Sequence, residues 1–136
     1  MNEELLRQDL IRDEGLRLKP YRCTAGKLSI GVGRNLDDVG ISKSEAEYML
    51  HNDILNVQIA LDRNLPWWRK MSETRQLVLA NMAFNMGIQT LLGFKNTLAA
   101  MERGDYEAAA VGMGASKWAV QVGPRATRLI KQMREG

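Results

Sequence analysis

The chain has one cysteine, one histidine and three prolines in 136 residues. A single thiol excludes an internal disulfide, so no disulfide framework braces this fold. The lone His51, with no CxxC or HExxH spacing anywhere, excludes a multi-histidine or zinc-finger site. No metal and no cofactor is expected. Aromatic residues make up only 6% of the chain, and its 19 Lys and Arg nearly balance its 16 Asp and Glu, leaving a net charge of +3. That surplus favours an anionic partner but gives no dense basic stripe for nucleic acid. The opening stretch MNEELLRQDLIRDEG mixes both charge signs and lacks a long apolar run. It therefore reads as neither signal peptide nor membrane anchor, and the protein is expected to be made in a cytoplasm.

What is present fits one soluble domain with 45% hydrophobic and 26% charged residues. A chain of this length buries roughly two-thirds of its unfolded surface and needs no covalent staple. Residues 3–13 read as a helix with Leu6 and Leu10 one turn apart and Gly15 as its stop. CTAG (Cys23 to Gly26) reads as a hairpin turn and KLSIGVG (Lys27 to Gly33) as the return strand. Alternation there assigns Leu28, Ile30 and Val32 to the core, and Ser29, Gly31 and Gly33 to a face bare enough for a ligand to reach the backbone. RNLDDVG reads as loop.

SKSE (Ser42 to Glu45) has the spacing of a capping box and opens a long helix to about Asn64, striped by Ala46, Leu50, Ile54, Val57 and Leu61. In PWWRKM the two tryptophans are expected to cover the next helix, with sugar stacking as the functional alternative. Residues 73–86 read as a buried central helix capped by Gly87. Shorter helices are expected at about 96–103, 106–113 and 124–135, with a turn near 116–120. The fold class is α+β, mainly α: a hairpin lobe at about 15–60, and a helical lobe at about 61–136 that includes the N-terminal helix.

The chemistry-bearing candidates are Glu14 beside Gly15, Cys23 nine positions on, and Ser29 six beyond that. Each has a plain alternative: a solvated helix end, a small buried hydrophobe, and an ordinary strand residue. Read whole, however, EGLRLKPYRCTAGKLSIGVG resembles the catalytic stretch of the phage-type lysozymes, the muramidase family typified by the lysozyme of T-even phages. Glu14, Gly15, Tyr21, Gly26, Ile30, Gly31 and Gly33 fall in register with that family's pattern. NMAFNMG (Asn81 to Gly87) is similar to its central helix. Gly93, Phe94, Asn96 and Leu98, then Ser116, Trp118, Pro124, Arg125 and Ala126, are similar to its C-terminal lobe. The resemblance covers essentially the whole chain, except for a much shorter loop before Ser42. Cys23 stands where the T-even form has Asp, Ser29 where it has Thr, Arg34 where it has His, and Ala25 where it has Glu.

The resemblance implies a two-lobed lysozyme-like fold and hydrolysis of the β-1,4 bond between N-acetylmuramic acid and N-acetylglucosamine in peptidoglycan. Glu14 would be the general acid, and Cys23 with Ser29 would handle water or the developing sugar cation. Arg125 would orient and tune the acid. Gly31, Asn85, Phe94 and Lys117 would bind substrate, with Phe94 equally readable as core. Asn85 replaces a family Gln and Lys117 a family Arg. Asn81 is expected to be a buried polar group satisfied by backbone, and His51 a solvated helix position. The expected partner is a glycan strand. The expected organisation is a monomer without membrane insertion, reaching the wall through a holin-type pore. A lytic transglycosylase on the same bond and an inactive wall-binding module are the alternatives, because Cys23 leaves no second carboxylate.

Overall fold

The computed structural model describes all residues 1–136 as two compact units, Met1–Met49 and Leu50–Gly136. The first therefore contains the N-terminal helix.

In the first unit, helix α1 (Glu3–Glu14) starts at Asn2, whose side chain accepts from Leu5 N–H, and stops at Gly15, with φ 81°. Asn2 caps one of the orphan amides of the first turn. Leu6 and Leu10 share a face as the spacing requires, yet no residue of α1 is buried. Three antiparallel strands follow: β1 (Arg17–Arg22), β2 (Leu28–Gly31) and β3 (Arg34–Asn35), in the order β1-β2-β3. Strand β1 bulges between Arg17 and Tyr21, which lets Pro20 sit on an edge strand without costing a ladder bond.

The RNLDDVG stretch is not wholly loop, since its first two residues form β3. That makes β2 the central strand, and the face expected to be open is covered at Ser29. Ser29, paired with Tyr21 on one side and Asn35 on the other, is 3% exposed, whereas Val32 is 37% exposed.

Helix α2 (Lys43–Asn64) begins in the first unit and continues into the second. Its capping box forms as the SKSE spacing predicts: Glu45 N–H donates to Ser42 Oγ at 3.1 Å and Ser42 N–H donates to Glu45 Oε1 at 2.8 Å. Its apolar stripe is not buried throughout. Leu61 is fully buried, while Leu50 and Ile54 remain about half exposed.

The second unit holds the core. A short 3-10 helix (Pro66–Lys70) leads to α3 (Glu73–Met86), α4 (Ile88–Leu92), α5 (Lys95–Glu102), α6 (Tyr106–Gly114), α7 (Lys117–Val122) and α8 (Pro124–Glu135). The turn expected near 116–120 is thus a helix, and α4 is an element the sequence reading lacks. Val78, Leu79 and Met82 of α3 are fully buried among Leu91, Met101, Met113 and Met133. Trp68 is buried with its indole N–H donating to Asp62 at 2.7 Å, and Trp67 packs on the same core. Helices α5 and α6 approach so closely that a β-carbon on Gly112 would strike the buried Thr97 hydroxyl.

Candidate active site

Glu14 is the last residue of α1, exposed, and no hydrogen bond or ion pair engages its carboxylate. Its neighbour on the sheet side is Gly33, in the turn between β2 and β3. A β-carbon at Gly33 would lie 2.9 Å from Glu14 Oε2 and 3.2 Å from Cδ. The carboxylate therefore rests on bare backbone.

Cys23 opens the hairpin turn. Its N–H donates to Lys27 O at 2.9 Å, and Gly26 N–H donates to Cys23 O at 2.8 Å. The turn is braced from outside: Arg22 donates to Gly26 O at 3.2 Å, and Asp37 accepts from Leu28 N–H at 2.8 Å. The half-buried thiol is free, and its pKa is held below the usual thiol range by the backbone N–H groups of Lys27 and Ala25 and by the Ser29 hydroxyl, against an opposing desolvation. Amide donors around sulfur favour the thiolate. Ser29 lies beside this thiol. It is buried, and its hydroxyl reaches both the thiol and Lys27 O, the latter at 3.4 Å. Gly31 ends β2 at φ 71° with open space where a side chain would be.

The second unit gathers the other candidates around α7. Asn85 is exposed, but its carbonyl is already committed: Trp118 Nε1 donates to Asn85 Oδ1 at 2.8 Å, tying α3 to α7 and leaving the Asn85 amide N–H groups for a ligand. Lys117, exposed, is the first residue of α7. Phe94 is half-buried against the core, and with Asn96, Thr97 and the α7 cap Ser116 it lines a depression of about 380 Å³. Asn81 is corrected: its carbonyl is satisfied by Arg125 rather than by backbone, accepting from Nε at 2.9 Å and Nη2 at 2.8 Å. That pair lies on the wall of a groove of about 640 Å³ floored by Leu50, Ile54, Val57 and Leu77. His51 is exposed, as expected.

Two residues of this site were absent from the sequence candidates for it. Gly33 stands in the sequence as a bare strand position in register with the family pattern, and Arg34 as a departure from it. No local signal gives either one a contact, because that comes from what folds back onto them.

The chain is thus helix-dominated with a small three-stranded sheet, an unpaired carboxylate at a helix end and a free thiol whose pKa backbone amides lower. The family profile described as Phage lysozyme matches residues 11–135. The chain belongs to the phage lysozyme family and is a glycoside hydrolase of the muramidase type. It is 31% identical to the pre-baseplate central spike protein Gp5 of Enterobacteria phage T4 over 88% of this chain, although it spans only 26% of that protein. It is 26% identical to a probable T4-type lysozyme 2 of Dictyostelium discoideum, over 95% of this chain and 94% of the relative. An endolysin of Acyrthosiphon pisum secondary endosymbiont phage 1 is 32% identical over 72% of this chain and 67% of the relative. No helix is long and apolar enough to cross a membrane.

Proposed function

We propose that this protein is an endolysin that hydrolyses the β-1,4 bond between N-acetylmuramic acid and N-acetylglucosamine of bacterial peptidoglycan. The observation that carries the reading is the Glu14 carboxylate, left free of every side-chain partner at the end of α1 in a chain matched almost end to end by the lysozyme family. Glu14 gives its proton to the leaving glycosidic oxygen as the C1–O bond breaks and positive charge spreads over the sugar ring. The Cys23 thiolate then takes a proton from the attacking water, with the Ser29 hydroxyl placing that water. Glu14 is left as carboxylate and Cys23 as thiol, and solvent restores both. Amides that stabilise the thiolate support its use as a base where relatives of the T-even form have a carboxylate. In the working complex Arg125, held by Asn81, orients the acid, and Gly31, Asn85, Phe94 and Lys117 contact the glycan. The enzyme works as a monomer and reaches the wall through a holin-type pore.

Mass spectrometry of soluble fragments from purified peptidoglycan tests this, with Glu14→Gln as the control. Fragments gaining one water and ending in reducing muramic acid are expected, and Glu14→Gln should release none. Ends in 1,6-anhydromuramic acid would replace hydrolysis by transglycosylation. Binding to the wall without any fragment would overturn the enzymatic reading.

A further inference from the structure

We propose that Gly33 and Arg34 are positioning residues for the Glu14 carboxylate, held in place by the capping box that opens α2. The inference rests on Glu14 being the general acid. Several glycines of the first unit have positive φ, but a β-carbon on Gly15, Gly26 or Gly31 would meet nothing within 4 Å. Gly33 is different. At φ 69° its β-carbon would fall 2.9 Å from Glu14 Oε2, 3.2 Å from Cδ and 3.4 Å from Cγ. Glycine is required there by the backbone conformation and again by the carboxylate lying against it.

The turn that carries Gly33 is itself anchored. Arg34 pairs with Ile30 across β2 and β3, closing the turn. Its guanidinium then reaches past the sheet: Nη1 donates to Gly40 O at 3.1 Å and to Glu45 Oε1 at 2.8 Å. The same Glu45 oxygen accepts from Ser42 N–H at 2.8 Å. A helix N-terminus, an ion pair and a two-residue turn thus form one chain of contacts ending at the acid. The first three are tied by hydrogen bonds, whereas Glu14, an exposed side chain at a helix end, has none.

The collision a methyl group would create is with the far end of a flexible side chain, not with backbone. The fold can yield cheaply, and it is the carboxylate that must move. Misplacing a reacting group by about 1 Å costs about 10²-fold in rate.

The test is Gly33→Ala, assayed for kcat and KM on a soluble glycan fragment. Its kcat should fall about 10²-fold with KM within about twofold of wild type. Gly104→Ala, at φ 81° with open space and outside the site, supplies the stability cost of left-handed alanine alone. It should match the loss in Tm and keep kcat. In a Glu14→Asp background the shorter side chain withdraws from the methyl, so adding Gly33→Ala should cost less than about threefold. Arg34→Ala should lower kcat in the same direction, with part of the loss recovered in Arg34→Lys.

Three results would overturn the proposal: a Gly33→Ala kcat within about threefold of wild type, a loss confined to KM, or an undiminished loss in the Glu14→Asp background. Should Gly33→Ala fail to fold, the kcat–KM split of Arg34→Ala decides. An active Glu14→Gln would end the assignment of the acid. An inactive Glu14→Gln beside a fully active Gly33→Ala would end only the positioning claim.

Discussion

Residues 1–49 and residues 50–136 are held together by different physics. Every buried hydrophobic side chain lies at Leu61 or beyond, and the single buried side chain of the first unit is Ser29. The first unit depends instead on turns, on glycines at positive φ and on polar links such as Asp37 to Leu28, Lys27 to Asp38 and Arg34 to Glu45. Exposed links of that kind contribute little each, and a segment without a buried core opens more readily than one built on it. Yet it is the first unit that carries Glu14, Cys23 and Ser29. The proposed acid–base chemistry and the apolar core are therefore separable in this chain: substitutions at Glu14, Cys23 and Ser29 should show in rate, and substitutions in the core of the second unit should show in Tm.

The largest effect expected under that separation is on rate. Cys23→Ala removes the proposed base and should cut hydrolysis by about 10²–10⁴-fold, the range typical of a lost acid–base group, with Tm almost unchanged. Cys23→Asp should retain clear activity. The pH profile gives the sign: a base must be deprotonated, so activity is lost as pH falls through its pKa. The amides around Cys23 lower the thiol, and an aspartate titrates lower still, so the acid limb of Cys23→Asp should lie at lower pH than that of wild type. Iodoacetamide should inactivate wild type but not Cys23→Asp, with a pH midpoint below the ordinary thiol value of about 8.5. Near-normal hydrolysis by Cys23→Ala would remove any chemical role for the thiol.

Next in size is a change in the second unit. Leu79 of α3 is 0% exposed, so Leu79→Ala should cost about 2–5 kcal/mol in unfolding free energy, read by urea denaturation. At temperatures where the variant remains folded, kcat should hold. A fall in kcat as large as that of Cys23→Ala would show that rate and core are coupled after all. Smaller again is Gly112→Ala, where the added methyl meets Thr97 across α5 and α6. Overpacking of that kind should cost about 1–3 kcal/mol. Thr97→Ala in the same chain should return part of it, a coupling that a double-mutant cycle on Tm would expose.

The same division explains what could be read in the sequence. Helix α3 was legible because Gly87 ends it and residues 73–86 are apolar nearly all round after the first turn. The α2 capping box was legible from four residues. Period-two alternation in β2 showed two faces but not which one is covered. Strand β3 has too few residues to leave a pattern, and Ser29, on the face that alternation leaves open, is buried all the same. Helix α4, with five residues, is likewise too short for a periodic signal. The Leu50 and Ile54 stripe has helical spacing whether or not anything covers it. Within the candidate site, the family motif points to Glu14 directly, and to Cys23 and Ser29 only as the residues that stand where it has Asp and Thr. The partner of Asn81 lies 44 positions away at Arg125, and the contact of Gly33 with Glu14 spans the whole hairpin, so neither leaves a local trace.

The smallest expected effect is the most specific to the first unit. Arg34 beside Glu45, helped by the Ser42 N–H and hydroxyl, pulls the Glu45 carboxyl down from 4.5 to about 2. A carboxylate depressed on folding contributes stability that is fully present above its unfolded pKa and is lost as pH falls through the folded one. Between pH 4.5 and about 2, wild type should lose this contribution progressively, and Glu45→Gln should have none to lose. At neutral pH the variant should be slightly less stable than wild type, by an amount that shrinks in high salt because both partners are largely exposed. Once pH has fallen through about 2, the two proteins should become indistinguishable. Amide exchange resolves this better than a global melt, since the core at Leu61 and beyond dominates Tm. Protection should fall at Ile30 and Arg34, and not at Leu79. A uniform fall across both units would mean that the ion pair braces the whole chain, and the division between a packed unit and a polar one would lose its energetic basis.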